Sequence, residues 1–207
     1  MFSIKCQQLG KKFGRDWVFR NLDLDLNVGD SIVLLGKNGS GKSTLLKTLV
    51  GNITPSKGSI RYTNNETLVD TEKWYKHVAI AAPYLDLYEE LTLLETINTH
   101  RQFKRFQQHY SSTELIEIMQ LEANKNKALG AFSSGMKQRV KLALAILSDT
   151  AILALDEPGM NLDKLAIKWF QDLLEQHRKN RIIITCSNEQ HEEYLHANKK
   201  LDILSLK

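Results

Sequence analysis

The sequence has few cysteines, little excess charge and no repeats. Its two cysteines, Cys6 and Cys186, are too few for a disulfide framework and are typical of a reducing compartment. Both lie in apolar stretches, so we expect them in the core. Lys and Arg number 28 against 24 Asp and Glu, a formal net charge of +4 that is too small to indicate a nucleic-acid partner.

The sequence also lacks segments suited to a membrane. No run reaches about 18 apolar residues, so we expect no transmembrane helix. The N-terminus has no charged region followed by an apolar stretch, so we expect no signal peptide. With 207 residues, 42% hydrophobic and 25% charged, the chain suits one ordinary globular domain. Any membrane role would then depend on a partner.

The most informative stretch is a glycine-rich loop at 36–44, which fits the pattern G-x-x-x-x-G-K-[ST]. It follows the apolar run 31–35, which predicts a buried strand, and precedes 44–50, whose apolar residues lie on one helix face. This context predicts a phosphate-binding loop; the alternative is a glycine-rich turn before a helix. The predicted phosphate-binding residues are Gly36, Lys37, Asn38, Gly39, Ser40, Gly41, Lys42, Ser43 and Thr44.

The residues of this loop suit a nucleotide for separate physical reasons. Glycines allow a tight turn that points backbone N–H groups at phosphate, and a helix N-terminus favours an anion. Lys42 can reach the outer phosphates of ATP, and the Ser43 hydroxyl can bind Mg²⁺.

Two acidic residues follow another apolar strand. The run 151–155 is short enough for a buried parallel strand, and Asp156 and Glu157 come directly after it. An Asp at such a strand tip is where P-loop ATPases bind Mg²⁺, and Glu157 can act on the attacking water as a general base. Alone, such a pair is as often a helix cap or a solvated turn, but the upstream phosphate loop favours the metal and base roles.

Strands and helices alternate along the rest of the chain. Alternating apolar residues at 2–6 and 17–26 predict an antiparallel layer ahead of the phosphate loop, and Lys199 and Lys200 are interpreted as a solvated turn. Further strands are predicted at 59–62, 77–82, 151–155, 182–185 and 201–206, and helices at 93–106, 111–119, 136–147 and 165–177. We therefore predict an α/β fold: a P-loop NTPase core with a parallel sheet, an N-terminal antiparallel β layer and an inserted helical subdomain.

A third motif resembles the signature loop of one ATPase family. Residues 132–140, Phe-Ser-Ser-Gly-Met-Lys-Gln-Arg-Val, resemble the Leu-Ser-Gly-Gly-Gln loop of ABC ATPases and precede the acidic pair as they do there. Residues 159–163 resemble the family's D-loop, and 9–14 resemble its adenine-stacking segment. The resemblance covers about residues 2–206. It implies a single ABC ATPase domain over 1–207, with its core at 1–82 and 136–207 and the helical subdomain at about 83–135.

The resemblance implies roles for individual residues. Phe13 matches the aromatic residue that stacks on adenine, and Trp17 is the other candidate for this role. The structural alternative for Phe13 is a buried aromatic residue at the end of a strand. Ser133 and Gly135 match residues that contact the γ-phosphate of ATP bound to the opposite subunit, whereas a plain helix cap is the alternative for Ser133. In the family the two loops meet only between subunits, so this chain should form a homodimer or pair with a similar chain when ATP is bound.

Two positions depart from the family pattern. The Gln expected before the helical region falls at Pro83, which has neither a side-chain oxygen nor an N–H. The switch His is expected after strand 182–185, where Asn188 is the best match; Ser187 and His191 are the alternatives, and His191 is interpreted as a surface histidine. Asn can hydrogen-bond a phosphate oxygen but lacks the positive charge available to His. We expect intact ATP binding and slow hydrolysis.

The leading hypothesis is the ATPase subunit of a membrane transporter. It would use ATP and Mg²⁺ and drive a separate transmembrane permease subunit that docks near the helical subdomain and residues 83–92. It would be cytoplasmic and peripheral to the inner face of the membrane through that partner. The alternatives are a soluble ABC protein acting on nucleic acid or ribosomes, a hydrolysis-impaired ATP-binding regulator, and a small-molecule kinase on a P-loop fold. The kinase would not explain the signature loop, and we expect no nucleic acid.

Overall fold

Two sheets of different kinds organise the chain. The computed structural model describes residues 1–188 and 191–206. The strands are β1 (Phe2–Phe13), β2 (Asp16–Asn27), β3 (Ser31–Leu35), β4 (Lys57–Asn64), β5 (Thr67–Leu68), β6 (Val78–Ala81), β7 (Ile152–Asp156), β8 (Ile182–Ser187) and β9 (Lys199–Asp202). The helices are α1 (Lys42–Leu49), α2 (Leu93–Phe103), α3 (Ser112–Met119), α4 (Ser134–Leu147) and α5 (Lys164–His177).

The parallel sheet has the strand order β6-β7-β8-β3-β9. Strands β7 and β8 are buried along their whole length, as their unbroken apolar runs predict. Parallel strands end at one common edge of the sheet, so the segments that follow β3, β7 and β8 are brought together there. Those segments are the phosphate loop, the acidic pair and the predicted switch position.

The antiparallel sheet has the order β2-β1-β4-β5 and confirms the predicted N-terminal layer. Its apolar side chains share one buried cluster with β3 and α1, so this layer covers one face of the parallel sheet. Cys6 belongs to that cluster, and Cys186 lies in it too; both are buried and free of disulfides, as predicted.

The two helices between β6 and α4 begin with capping boxes. Thr92 with Glu95 starts α2, and Ser111 with Glu114 starts α3; the pattern Ser-x-x-Glu at 111–114 predicts the second of these from the sequence. Both helices share a second buried cluster with α4, and this cluster extends to β7. The boundaries of an inserted subdomain at 83–135 stay a prediction, because these helices share one cluster with the sheet.

Three details of the predicted elements are wrong. The last strand is Lys199–Asp202, and Ile203–Leu206 is a 3₁₀ turn. Lys199 is therefore not in a solvated turn: it lies on an edge strand, where lysines are common, and its Nζ is 2.8 Å from Asp30 Oδ2. Helix α2 ends at Phe103, since Phe106 instead forms an isolated bridge with Ser148. The spacing of residues 165, 169, 173 and 177 predicts one stripe of α5 facing the core, but its first member, Leu165, is exposed.

A buried cation joins the end of α4 to the sheet. The Arg181 guanidinium donates hydrogen bonds to the carbonyl oxygens of Ile146 at 2.7 Å and Ser148 at 2.9 Å and to Thr150 Oγ1 at 2.6 Å. Burial lowers the pKa of Arg181 to about 10. The side chain satisfies carbonyl groups that a helix end leaves without partners.

Candidate nucleotide-binding site

The phosphate loop connects β3 to α1 through glycines in the left-handed or otherwise positive φ region. Gly36, Gly39 and Gly41 have φ values of 149°, 75° and 111°. Gly41 stands at the start of α1, and a Cβ atom there would lie 2.2 Å from Cγ1 of Val18. Within the part of the chain that the structure describes, no side chain caps this helix. The first-turn N–H groups are thus available to an anion.

Lys42 is held over this loop by three acceptors. Its side chain is 4% exposed, and Nζ donates to the carbonyl oxygens of Gly36 at 2.7 Å and Lys37 at 3.2 Å, and to Asn188 Oδ1. An ammonium group has three hydrogens, so these contacts account for all of them. The cation is therefore fixed between the phosphate loop and the end of β8.

Asn188 links this cation to the acidic pair. While its Oδ1 accepts from Lys42, its Nδ2 donates to Glu157 Oε1 at 2.8 Å. The orientation of the amide follows from its partners, since an ammonium can only donate and a carboxylate can only accept. The structure brings Asn188 rather than His191 to the phosphate loop: His191 is exposed and lies against the ring of Tyr194.

Asp156 presents a buried oxygen beside the phosphate loop. The residue is 2% exposed, and among the described residues its Oδ1 has no hydrogen-bond partner. Burial raises the pKa of the Asp156 carboxyl; a hydrogen bond from the Ser43 side chain opposes this rise, and the charge of Glu157 adds to it. Carboxylate and hydroxyl oxygens are the ligands that Mg²⁺ prefers.

The donor set at Asp156 and Ser43 therefore fits Mg²⁺. Within residues 1–188 and 191–206 there is no cluster of three or more His, Cys, Asp or Glu residues that could hold a metal by itself. Mg²⁺ does not need such a cluster, because it commonly takes one or two protein oxygens and completes its shell with water and substrate phosphates.

The predicted adenine-stacking residue lies at the tip of the β1–β2 hairpin. Phe13 is 54% exposed and pairs with Asp16, so the alternative of a buried aromatic residue is wrong. The contact of Val18 with Gly41 places this hairpin next to the phosphate loop. Trp17, the rival, is half-buried under the Lys12 ammonium. Lys11 Nζ likewise lies over the Phe13 ring, 5.1 Å from its centroid, so Phe13 differs from Trp17 in its greater exposure, and its role stays a prediction.

The signature-loop residues lie elsewhere. Ser133 is exposed, precedes α4 and accepts a hydrogen bond from the Met136 N–H at 3.2 Å. A cavity of about 480 Å³ is lined by this loop and by Asn161 and Asp163. No hydrogen bond of the described residues joins Ser133 or Gly135 to the phosphate loop. The structure thus brings Lys42, Ser43, Asp156, Glu157 and Asn188 together and leaves the signature loop apart.

Two residues near the site were not singled out for it from the sequence. Tyr84 follows Pro83, and from the sequence it fits contact surface for a partner and core equally well. Its ring centroid lies 3.5 Å from Lys47 Nζ, and burial and the charge of Asp156 raise the pKa of its phenol. Glu193 is buried behind the site, and no sequence signal marks it.

The fold and the site together define a P-loop nucleotide-binding protein with its acidic pair on the neighbouring strand. A family profile described as ABC transporter matches residues 19–160. The chain belongs to this family, as a nucleotide-binding ATPase domain.

Relatives with known names agree with this family. The bacitracin transport ATP-binding protein BcrA of Bacillus licheniformis is 30% identical over 180 residues, which are 87% of this chain and 59% of that protein. The cytochrome c biogenesis ATP-binding export protein CcmA of Histophilus somni is 29% identical over 193 residues, covering 90% and 87%. The chain spans 57–59% of the length of the first curated relatives it matches.

Solved structures share the fold. A putative ABC transporter ATP-binding protein from Pyrococcus furiosus has a TM-score of 0.82 at 21% identity and covers 99% of both chains. The ATP-binding cassette MJ0796, in a dimeric post-hydrolysis state bound to ADP and Pi, has a TM-score of 0.80 at 20% identity, covering 96% of this chain and 93% of that one.

Proposed function

We propose that the chain is an ATP-binding and ATP-hydrolysing subunit that drives a membrane transporter through ATP-dependent pairing of ATPase subunits. The observation that carries the proposal is the hydrogen-bonded series Lys42–Asn188–Glu157, which lies beside the buried oxygen of Asp156. Family membership and relatives named as transport or export ATP-binding proteins support it.

ATP binding would use the phosphate loop first. The N–H groups at the start of α1 and the Lys42 ammonium meet the phosphates, and the exposed ring of Phe13 stacks on adenine. Ser43 and Asp156 would hold Mg²⁺, which neutralises charge on the outer phosphates when bound.

Hydrolysis would then proceed by attack of water on the γ-phosphorus. Glu157 takes a proton from the water as its oxygen bonds to phosphorus, the bond to the β–γ bridging oxygen breaks, and ADP leaves with that electron pair. Asn188 positions the Glu157 carboxylate through its Nδ2–H and contacts the γ-phosphate. Because neither Pro83 nor Asn188 supplies the side chain usual in the family, turnover is slow.

Pairing would complete the second half of each site. Ser133 and Gly135 face the γ-phosphate of ATP on the opposite subunit, so the partner is a second copy or a similar ATPase chain. Under this proposal the whole chain is one ABC ATPase domain, with the core at 1–82 and 136–207 and the helical subdomain at 83–135. The dimeric state of the structural relative MJ0796 supports pairing.

The membrane part of the transporter would be a separate permease subunit. None of the helices in the described part of the chain has the length and apolar character needed to cross a bilayer. The permease docks near 83–92, where Tyr88 is exposed, and holds the chain at the inner face of the membrane from the cytoplasm.

Titration with a fluorescent ATP analogue tests the site. Lys42→Ala should abolish binding, because the loop loses its buried cation. Lys179→Ala is the matched control, since Lys179 is exposed and precedes β8 at the opposite edge of the sheet. Unchanged affinity of Lys42→Ala would reject the site, and co-purification with nucleic acid rather than membrane proteins would reject the transport role.

A further inference from the structure

A buried carboxylate lies directly behind the predicted catalytic groups. Glu193 belongs to the 3₁₀ turn His191–Glu193 and is 3% exposed. Its Oε1 accepts a hydrogen bond from the Gly159 N–H at 2.9 Å, and its Oε2 accepts one from the Ser187 hydroxyl. Neither phosphate binding nor proton transfer uses this residue.

The two donors belong to the segments that carry Glu157 and Asn188. Gly159 comes two residues after Glu157 and begins the loop 159–163, and Ser187 directly precedes Asn188. The same carboxylate therefore joins the main chain behind the base to the strand end behind the switch residue. The same two segments are also joined by the Asn188–Glu157 hydrogen bond of 2.8 Å and by the main-chain bond of 3.0 Å from the Glu157 N–H to the Cys186 carbonyl oxygen.

The identity of residue 159 depends on this carboxylate. Gly159 is not among the glycines with positive φ, so its backbone would accept other residues. A Cβ atom at 159, however, would lie 2.7 Å from Glu193 Oε1 and 3.1 Å from its Cγ. Ile167 Cδ1 would lie 3.2 Å away, so the glycine is required for space that Glu193 takes up most closely.

The carboxylate is held in an unfavourable environment. Burial raises the pKa of Glu193; the hydrogen bonds from Ser187 and Gly159 oppose this rise, and the charges of Glu157 and Asp156 add to it. A carboxyl group near two other acids is costly to bury unless its hydrogen bonds are retained. Its turn is also tied to α5, since Gln171 Nε2 donates to the Glu192 carbonyl oxygen at 2.9 Å.

We propose that Glu193 is a positioning residue that locks the loop 159–163 to the end of β8, so that Glu157 and Asn188 stay aligned during ATP hydrolysis. The proposal rests on the proposed function, since alignment matters only if these residues act on ATP. Because the loop 159–163 also lines the signature-loop cavity, the same lock joins the hydrolytic groups to the surface that would meet a second subunit.

The first test compares two neighbouring glutamates. Glu193→Ala should lower kcat of the purified chain by about tenfold to a hundredfold, as a small misplacement of catalytic groups does, with the affinity for the ATP analogue unchanged within about twofold. Glu192→Ala is the matched control, because Glu192 lies on the same turn with an exposed side chain. It should match the wild type in both measurements.

Two further variants separate positioning from folding. Glu193→Gln should retain most of kcat, because its amide oxygen can accept from Gly159 and its NH₂ group can donate to Ser187 Oγ. Gly159→Ala should lower kcat as Glu193→Ala does, by pushing the carboxylate away. In the Glu193→Ala background it should add less, because the carboxylate is then absent and Ile167 Cδ1, 3.2 Å from the new Cβ, is the remaining close neighbour. Thermal unfolding of each variant shows how much chain is folded at the assay temperature.

Several results would overturn the positioning role. One is a wild-type kcat in Glu193→Ala, and another is a loss of kcat in Glu193→Gln as large as that in Glu193→Ala. A third is a double variant in which the two losses of kcat simply add. The last is a loss of kcat that disappears at temperatures where every variant is fully folded. If the wild-type chain itself neither binds nor hydrolyses ATP, the proposed function fails instead. The two failures are distinguishable, because the first leaves wild-type turnover intact.

Discussion

The phosphate-loop region and the signature-loop region differ in whether their polar side chains find their hydrogen-bond partners within one chain. The Lys42 ammonium is buried and donates all three of its hydrogens within the chain, whereas Ser133 is exposed and accepts a hydrogen bond from its own helix. The first region is assembled from three strand ends, and the second from one helix start. A single chain therefore brings the phosphate-loop residues together and presents, separately, an exposed helix start, which under the proposed function would serve a second chain.

Removing the base should have the largest effect on turnover and none on binding. Glu157→Gln keeps an oxygen that can accept from Asn188 but cannot take a proton, so we expect a loss of kcat of about 10³-fold or more. ATP binding should persist, and the paired state should accumulate. Size-exclusion chromatography with ATP and Mg²⁺ would show it; a monomeric variant with wild-type turnover would contradict both the base and the pairing.

A negative charge at the signature loop should lower turnover in the paired state without affecting ATP binding by a single chain. Ser133→Asp keeps a good helix cap but places a negative charge where the γ-phosphate of the partner's ATP would lie, so turnover should fall by about 10²-fold. Ser111→Asp makes the same change at the start of α3 and should leave turnover unchanged. ATP binding by the separate Ser133→Asp chain should be normal.

Mixing two variants tests whether the phosphate loop and the signature loop meet between chains. Lys42→Ala and Ser133→Asp chains should each be inactive alone, but a mixed pair contains one composite site with neither change. The mixture should therefore regain turnover in a steady-state ATPase assay. No recovery in the mixture, with both chains folded and soluble, would show that the two loops do not meet between subunits.

The smallest expected effect is at the switch position. Loss of one transition-state donor typically costs about 10²–10³ in rate, and Asn188 still supplies one hydrogen bond, so Asn188→His should raise kcat by about tenfold with little change in ATP affinity. If imidazolium is the active form, the gain should be present at low pH and lost as pH rises above about 6.5. Tighter ATP binding without faster turnover would show that position 188 does not face the γ-phosphate.

The local parts of the molecule could be predicted because their signals are contiguous. The phosphate loop, the buried strand before Asp156 and the capping box of Ser111 are each specified within a few residues, where backbone preference and apolar period decide the outcome. The last strand begins earlier than the sequence predicts, because two adjacent lysines at 199–200 favour a solvated turn, whereas an edge strand accepts Lys199 beside Asp30.

Sequence alone determined which residue types could meet a nucleotide, namely a glycine loop with Lys42 and an acidic pair after a strand. Only the tertiary structure decided that Asn188, 146 positions from Lys42, lies within hydrogen-bond reach of it, and that Glu193 occupies the space left by Gly159. The reason is physical. Such contacts depend on how parallel strands distant in sequence are ordered in the sheet, and a buried polar group is positioned by partners that no local pattern encodes.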